Sequence, residues 1–582
     1  MARRIRALVQ QLKAKAANSL QRFPEAAAFL VATVSLLIFL IHDPVLLEET
    51  AELLNRIAWT LALGFPLTLC FRELLERYAP HRPKMRGMIL PVTLGLLILY
   101  FSLGLKEINL VTSTRYVAYS LTSYLAFIFI PYLGRHKDFE FYVLDLALKF
   151  CVSYFYAATL YIGIALTLFT IDQLFAVSVC AELYLDFWLI CAGIFAPLYF
   201  LAEIPGSDRS YEQDTYPQVL KFLFVYILIP IVTVYTIILY TYFAKIIFTQ
   251  TWPVGLVAHL VLWFALLSSL LLFILYPLRR ENRASDKFSR IFPWLILPLI
   301  GMMFVAMGKR VAAFGLTENR YYVLLAGLWV TGWMLYYCFT KHRRNVLLPI
   351  SLAVVAFLSV TGPWSSFAVA KYSQNQRLIG LLRKYELLKG STIIPRPDLP
   401  LEGRQEISAI LAYFNKNHSL KEIKLLPAAF ELDDMENVFG FKYIRGGRSN
   451  ARGYFYYQMA EADRILSLEG DEVFVDLTRV YANEIQIGND LYTLTYSGQN
   501  QVLVITREGR ELYRKNVKDL LTNDLQAQNL SVGSTPQLII TDQNEEVKLS
   551  YLFTEVRGFQ DPLTEKYELT GFEFYLFIKK DF

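Results

Sequence analysis

The sequence predicts a membrane all-α helical bundle of about 11 transmembrane helices, followed by a soluble α+β domain. Three observations carry this reading. The 582 residues are 55% hydrophobic and 15% aromatic, above the ~45–50% apolar content of ordinary soluble domains. The apolar residues gather into long runs that end near Trp364; beyond it charge and amides return, and no run reaches the ~20 residues needed to cross ~30 Å of hydrocarbon. Lys and Arg, finally, are distributed unevenly between alternate loops.

The N-tail, 1–22, is basic (Arg3, Arg4, Arg6, Lys13, Lys15, Arg22) and leads into the first run, 24–41. No small-x-small cleavage pattern follows, so the segment reads as an uncleaved signal anchor. Ten more runs lie at 54–71, 87–103, 116–133, 150–171, 183–202, 219–243, 254–278, 291–307, 321–339 and 346–362, making 23–363 the polytopic domain. With a cytoplasmic N-terminus, inner segments hold 24 Lys and Arg and outer loops 7. Cationic loops stay inside, so a multi-pass cell (inner) membrane protein with its N-terminus in the cytoplasm is expected. An odd number of spans then places the C-terminal domain outside the cytoplasm.

Residues 364–404 read as an amphipathic helix, with Leu378, Leu381, Leu382, Tyr385 and Leu388 at helical spacing, and a proline-rich linker, IIPRPDLPLEGR. The α+β domain, 405–582, carries helical patterns at 406–417 and 517–526. Alternating, strand-like patterns lie at 470–477, 491–498, 501–509, 537–542, 547–553 and 571–579.

Recognisable chemistry is sparse. The five cysteines (70, 151, 180, 191, 338) lie in or beside apolar runs and the six histidines are scattered. Such spacing gives neither a disulfide framework nor a metal site, and no phosphate loop or nucleophile elbow is present. No cofactor and no nucleic-acid partner is expected; the expected partners are the lipid bilayer and an envelope protein meeting the C-terminal domain. Ionisable residues beside apolar runs are functional candidates by default. The best cluster is GKRVAAFGLTENRYY, with Lys309, Arg310, Glu318, Asn319, Arg320 and Tyr321, whose cations depart from the positive-inside trend. Asp172, Glu182 and Asp186 fall on the same expected side. These charges suit a structural ion-pair network that sets the helix ends, or else anion binding. Tyr154, Tyr161, Tyr235, Tyr240 and Tyr242, with Pro230 and Pro298 deep in their runs, are candidates to line a cavity; packing hydrogen bonds between helices are the alternative.

Several stretches resemble a bacterial domain-of-unknown-function family, number 4153: YPQVLKFLFVYILIPIVTVYTIILYTYFAKII (216–247), TWPVGLVAHLVLWF with its LYPLR end, RVAAFGLTENRYYVLLAGLW (310–329) and GPWSSFAVAKYSQNQRL (362–378). The resemblance implies a polytopic bacterial membrane protein with an appended extramembrane region. It brings no reaction or substrate, and it adds Gly315 and Thr317 to the residues of interest. Three functions stand open: a carrier or flippase-like protein for a small or lipid-linked solute, an envelope sensor or assembly scaffold, and an intramembrane lipid- or glycan-modifying enzyme.

Overall fold

The computed structural model describes residues 20–579 except 44–47, 80, 135–137, 176–178, 207–210, 212–215, 250–255, 341, 391, 428, 445–452, 460–471, 477–481, 488–489, 498–499, 528–537, 545 and 561–566. Two compact units divide it, Met1–Arg377 and Leu378–Phe582.

In the first unit each apolar run lies on a helix: α1 Pro24–His42, α2 Glu48–Tyr78, α3 Lys84–Gly104, α4 Leu110–Phe129, α5 Phe139–Phe175, α6 Ala181–Glu203, α7 Gln218–Thr249, α8 Leu256–Leu275, α9 Arg283–Phe314, α10 Glu318–Phe339 and α11 Leu347–Val360. Among the described residues nine are long and apolar enough to cross a membrane. The other two are α4 and α11. Helix α4 holds polar residues such as Thr112, Ser113, Thr114 and Arg115 in its first turns. Helix α11 has 14 residues, about 21 Å at 1.5 Å per residue.

Large apolar side chains on the outer faces, such as Phe155, Leu166 and Phe169 of α5 or Val219 and Phe248 of α7, are exposed. Water would penalise so much bare apolar surface; hydrocarbon would not. The inward faces pack closely where residues are small. A Cβ on Gly64 of α2 would stand 2.6 Å from the Phe29 ring of α1, and one on Gly327 of α10 would stand 2.4 Å from the Met303 methyl of α9. Backbones can approach this closely only over such small residues.

Prolines shape several helices. Proline removes one helical hydrogen bond and presses on the carbonyl four residues back. For Pro230 and Pro197 those carbonyls belong to Tyr226 and Gly193, and both lie in π turns, Leu223–Leu228 and Cys191–Phe195. The wider turn relieves the ring. Pro293 and Pro298 lie inside α9.

The second unit opens with the end of α12, Ser366–Lys384, and with α13, Leu401–Asn417. Leu378, Leu382, Ile407, Leu411 and Phe414 form one small core with Phe439. The rest is β-rich and antiparallel. The strands are β1 Leu388–Lys389, β2 Thr392–Ile393, β3 Gly453–Gln458, β4 Glu472–Asp476, β5 Ala482–Ile487, β6 Asp490–Ser497, β7 Val502–Arg507, β8 Arg510–Asn516, β9 Leu538–Gln543, β10 Lys548–Gln560 and β11 Tyr567–Lys579, with α14 at Val517–Ala527. One sheet runs β3-β10-β11-β4 with β9 on β10, another β5-β6-β7-β8, and β1 pairs with β2. Alternating residues of both larger sheets (Leu494, Leu503, Ile505; Leu549, Tyr551, Phe574) and Leu521 of α14 share one core. Strands β1, β2, β3, β5 and β8 lie outside the strand patterns read from the sequence, and Leu388, read as part of the amphipathic helix, is on β1 because that helix ends at Lys384. Inside this core the Tyr513 hydroxyl donates to Asp542 Oδ2 at 2.6 Å and lies 3.0 Å from the Tyr551 hydroxyl.

Candidate functional site

The 309–321 segment forms a joint at the end of α9. Helix α9 stops at Gly315, whose φ of +68° and ψ of 175° fall in a region essentially reserved for glycine. The carbonyls left over at a helix C-terminus need donors, and arginines supply them. Arg320 Nη1 donates to Gly315 O at 2.6 Å and Phe314 O at 3.2 Å; Arg377 Nη1 donates to Phe314 O at 3.3 Å. Gln374 Nε2 adds 3.0 Å bonds to Phe314 O and Leu316 O, and Ser373 Oγ accepts from Leu316 N. Both guanidinium groups also lie over the Phe314 ring. The Tyr321 hydroxyl donates to Trp364 O at 2.8 Å. Glu318 is buried in the first turn of α10, where a carboxylate suits the helix dipole. Arg310 is half-buried and faces Arg320 as a like charge. Lys309 and Asn319 are exposed. The geometry therefore ties Arg320 to backbone oxygens, a role in holding the joint.

The acidic candidates have other neighbours. Asp186 meets His42, Nε2 to Oδ2 at 2.6 Å, while its Oδ1 is buried without a hydrogen bond. Asp172 Oδ1, in the last turn of α5, accepts from Val179 N just beyond that helix, and Glu182 is exposed. Of the tyrosines, Tyr154 packs at a tilt against Phe150, Tyr161 meets Trp188 edge-on and Tyr235 packs at a tilt against Phe264. Tyr242 packs on the α7–α10 core. Tyr240 differs: its hydroxyl donates to Leu295 O at 2.6 Å, and its ring lines a groove of about 610 Å³ between α7 and α9. Thr233, Thr236 and Thr241 line the α7 side and Ala284, Lys287, Phe288 and Ile291 the α9 side. The threonine hydroxyls bond carbonyls one turn back on their own helix. The groove is thus apolar along its length, with one exposed ammonium, Lys287, near the first turns of α9.

Sequence reasoning overlooked several buried charges, of which Arg343 meets the opposite end of α9. Arg22 bridges Glu73 and Glu76 of α2 at 3.3 and 2.8 Å and donates to Ile204 O. Glu140 is buried and accepts from Asn345 Nδ2, whose Oδ1 accepts from the Tyr337 hydroxyl. Arg343 is 8% exposed. Its Nη2 donates to Tyr337 O at 2.9 Å and Ser289 O at 3.2 Å. Burial, together with the like charge of Arg279, draws its guanidinium below the usual value. One signal was in the sequence: Pro293, four residues after Ser289, leaves the Ser289 carbonyl without its helical donor. Among the described residues no three His, Cys, Asp or Glu side chains are grouped as metal ligands would be.

An apolar helical unit of membrane type, with its own charged ends and a separate β-rich unit after it, defines the class. The family described as "Domain of unknown function (DUF4153)" matches residues 20–389, and the chain belongs to it. A relative, "Uncharacterized protein PM1469" of Pasteurella multocida (strain Pm70), is 21% identical over 358 residues, which cover 58% of this chain and 57% of the relative. The alignment therefore spans little more than half of that protein's length. No solved structure matches.

Proposed function

We propose that this is a multi-pass inner-membrane protein that binds a lipid or lipid-linked solute in the groove between α7 and α9, as a carrier or flippase-like protein does. The groove carries the reading. Its volume of about 610 Å³ lies within the ~300–1,000 Å³ of small-molecule sites, and its apolar walls with one terminal ammonium suit an acyl chain ending in an anionic head. The loop charges support a cytoplasmic side for Lys287 and Arg343 and the opposite side for the C-terminal unit.

A photoactivatable phospholipid in proteoliposomes tests it. Crosslinks are expected to concentrate on α7 and α9, and Thr236→Trp, which fills the groove, is expected to abolish them while leaving protein yield unchanged. Uniform labelling of all lipid-facing helices, unaffected by Thr236→Trp, would refute the reading. Orientation is tested separately with Asp519→Cys, on the exposed side of α14, after replacement of the five native cysteines. A membrane-impermeant maleimide is expected to label it in intact cells; labelling only after lysis would place the unit in the cytoplasm. The scaffold reading keeps one support, the separate core of the C-terminal unit. Loss of function on deleting 378–582, with lipid crosslinking intact, would favour it.

A further inference from the structure

We infer that Arg343, Ser285 and Ser289 form a binding site for a phosphate-class oxyanion, separate from the groove. A guanidinium has five N–H donors. Nη2 is engaged by the Ser289 and Tyr337 carbonyls; Nε and Nη1, which hold the other three N–H groups, are buried with no acceptor among the described residues. Ser285 and Ser289 are 0% exposed, and their hydroxyls are likewise buried and unpaired. Residues four apart on a helix share a face, and the Ser289 carbonyl already touches Arg343. The serines and the arginine thus leave five buried donors without an acceptor on adjoining parts of α9 and the loop after α10.

The charge balance points the same way. A buried cation needs a counter-charge, and among the described residues Asp286, Glu281 and Glu140 are committed elsewhere. Asp286 pairs with Arg290 at 2.7 Å and stands 3.4 Å from Arg279 Nε, which itself makes no hydrogen bond there. Glu281 pairs with Lys221, and Glu140 is held by Asn345. Arg279 adds a second positive charge acting on Arg343. Water would bring two acceptor sites and no charge. A phosphate brings several oxygens and a negative charge in a geometry that matches the guanidinium fork. The serines lie about a third of a turn round α9 from the centre of the groove-lining Ala284, Phe288 and Ile291, and neither they nor Arg343 line the groove, so this site does not depend on the carrier reading.

The probes are inorganic phosphate and a short-chain phosphatidylglycerol, each added to the full chain purified in phosphorus-free maltoside detergent. Thermal midpoints are read against chloride at equal ionic strength, and phosphorus in the purified chain is determined beforehand. Expected is a saturable rise with phosphate or lipid, or near-stoichiometric phosphorus already bound. Ser285→Ala/Ser289→Ala keeps both carbonyl bonds of Arg343 and is expected to weaken the response about tenfold, or to lose the bound phosphorus. A response to inorganic phosphate identifies a soluble ligand; a response to the lipid alone identifies a headgroup. An equal rise with chloride, an unchanged response in the double variant, or neither rise nor bound phosphorus overturns the inference.

Discussion

Arg320 and Arg343 answer the same problem at opposite ends of α9, roughly 40 Å apart at 1.5 Å per residue, and they answer it differently. Each donates to backbone oxygens at a helix end: Arg320 to the last carbonyls of α9, Arg343 to a last-turn carbonyl of α10 and one freed by Pro293. Arg320 is half-buried and shares its task with Arg377 and Gln374. Arg343 is buried, shares its two carbonyls with no other side chain among the described residues and keeps donors in reserve. Shared, half-exposed arginines hold a joint together; a buried one with unspent donors is what a binding site requires. Position next to an apolar run does not separate these roles, but the count of satisfied N–H groups does.

Three substitutions sharpen or break this contrast. Arg343→Ala is expected to have the largest effect, about 3 kcal/mol of lost stability, because two buried carbonyls lose charged donors; denaturant titration of the purified chain measures it, and a cost below that of Arg320→Ala would reverse the comparison. Gly315→Ala comes next at about 2 kcal/mol, since its backbone angles are strained for alanine and a Cβ would stand 2.8 Å from Gln374 Nε2. Arg320→Ala follows at about 1 kcal/mol: Arg377 and Gln374 still serve Phe314 O, and water reaches Gly315 O. Lipid crosslinking in the groove should survive it; its loss would return Arg320 to the binding machinery.

The smallest effect concerns an acid with all its partners in place. Partial burial works to raise the Asp542 carboxyl, but hydrogen bonds from Tyr513 and Lys515 outweigh it and leave the group below the usual range. A folded value below the unfolded one, about 3.9, means a stabilising contribution that is present above pH ~4 and fades as pH falls through the lowered value. Hydrogen exchange of the β9–β10 amides, corrected for the intrinsic rate, is expected to rise over that acid window, and Asp542→Asn to flatten the rise. An identical pH response in the variant would show that Asp542 is not its source.

Much of the architecture was legible because it depends on local pattern. Eleven apolar runs fall on eleven helices, nine of them, among the described residues, long and apolar enough to cross a membrane, because a helix lets so apolar a segment satisfy its backbone within itself. The strands with clear alternation, such as Leu538–Gln543, were legible for the same reason. Strand β8, RELYRKN, was not: its charged residues read as loop, and it is a strand because β7 supplies the register that pairs Ile505 with Tyr513. The candidate site shows the same limit. Arg310, Arg320 and Tyr321 were found as charges and phenols near an interface, yet the partners of Arg320 and Tyr321 are carbonyls of Phe314, Gly315 and Trp364, which no side-chain pattern announces. Arg343 read as one more inner-loop cation. Its burial against Tyr337, with the guanidinium 4.5 Å from the ring centre, arises only when α9, α10 and the following loop meet.

The π turns before Pro197 and Pro230 carry a further consequence. Each holds one residue more than the α-helix would, so the apolar stripe after the turn is rotated by about 100° from the stripe before it. Helix α7 therefore shows its first half and its second half to different neighbours: Val225 lies in the core with Leu271 and Leu275, Leu239 and Phe243 in the core with Ile296 and Met303. Removing a single residue from Leu223–Leu228 would return the segment to α geometry, bring the Tyr226 carbonyl under the Pro230 ring and swing every side chain on one half out of phase with its core. A helix built this way is least tolerant of deletion where its backbone is most irregular.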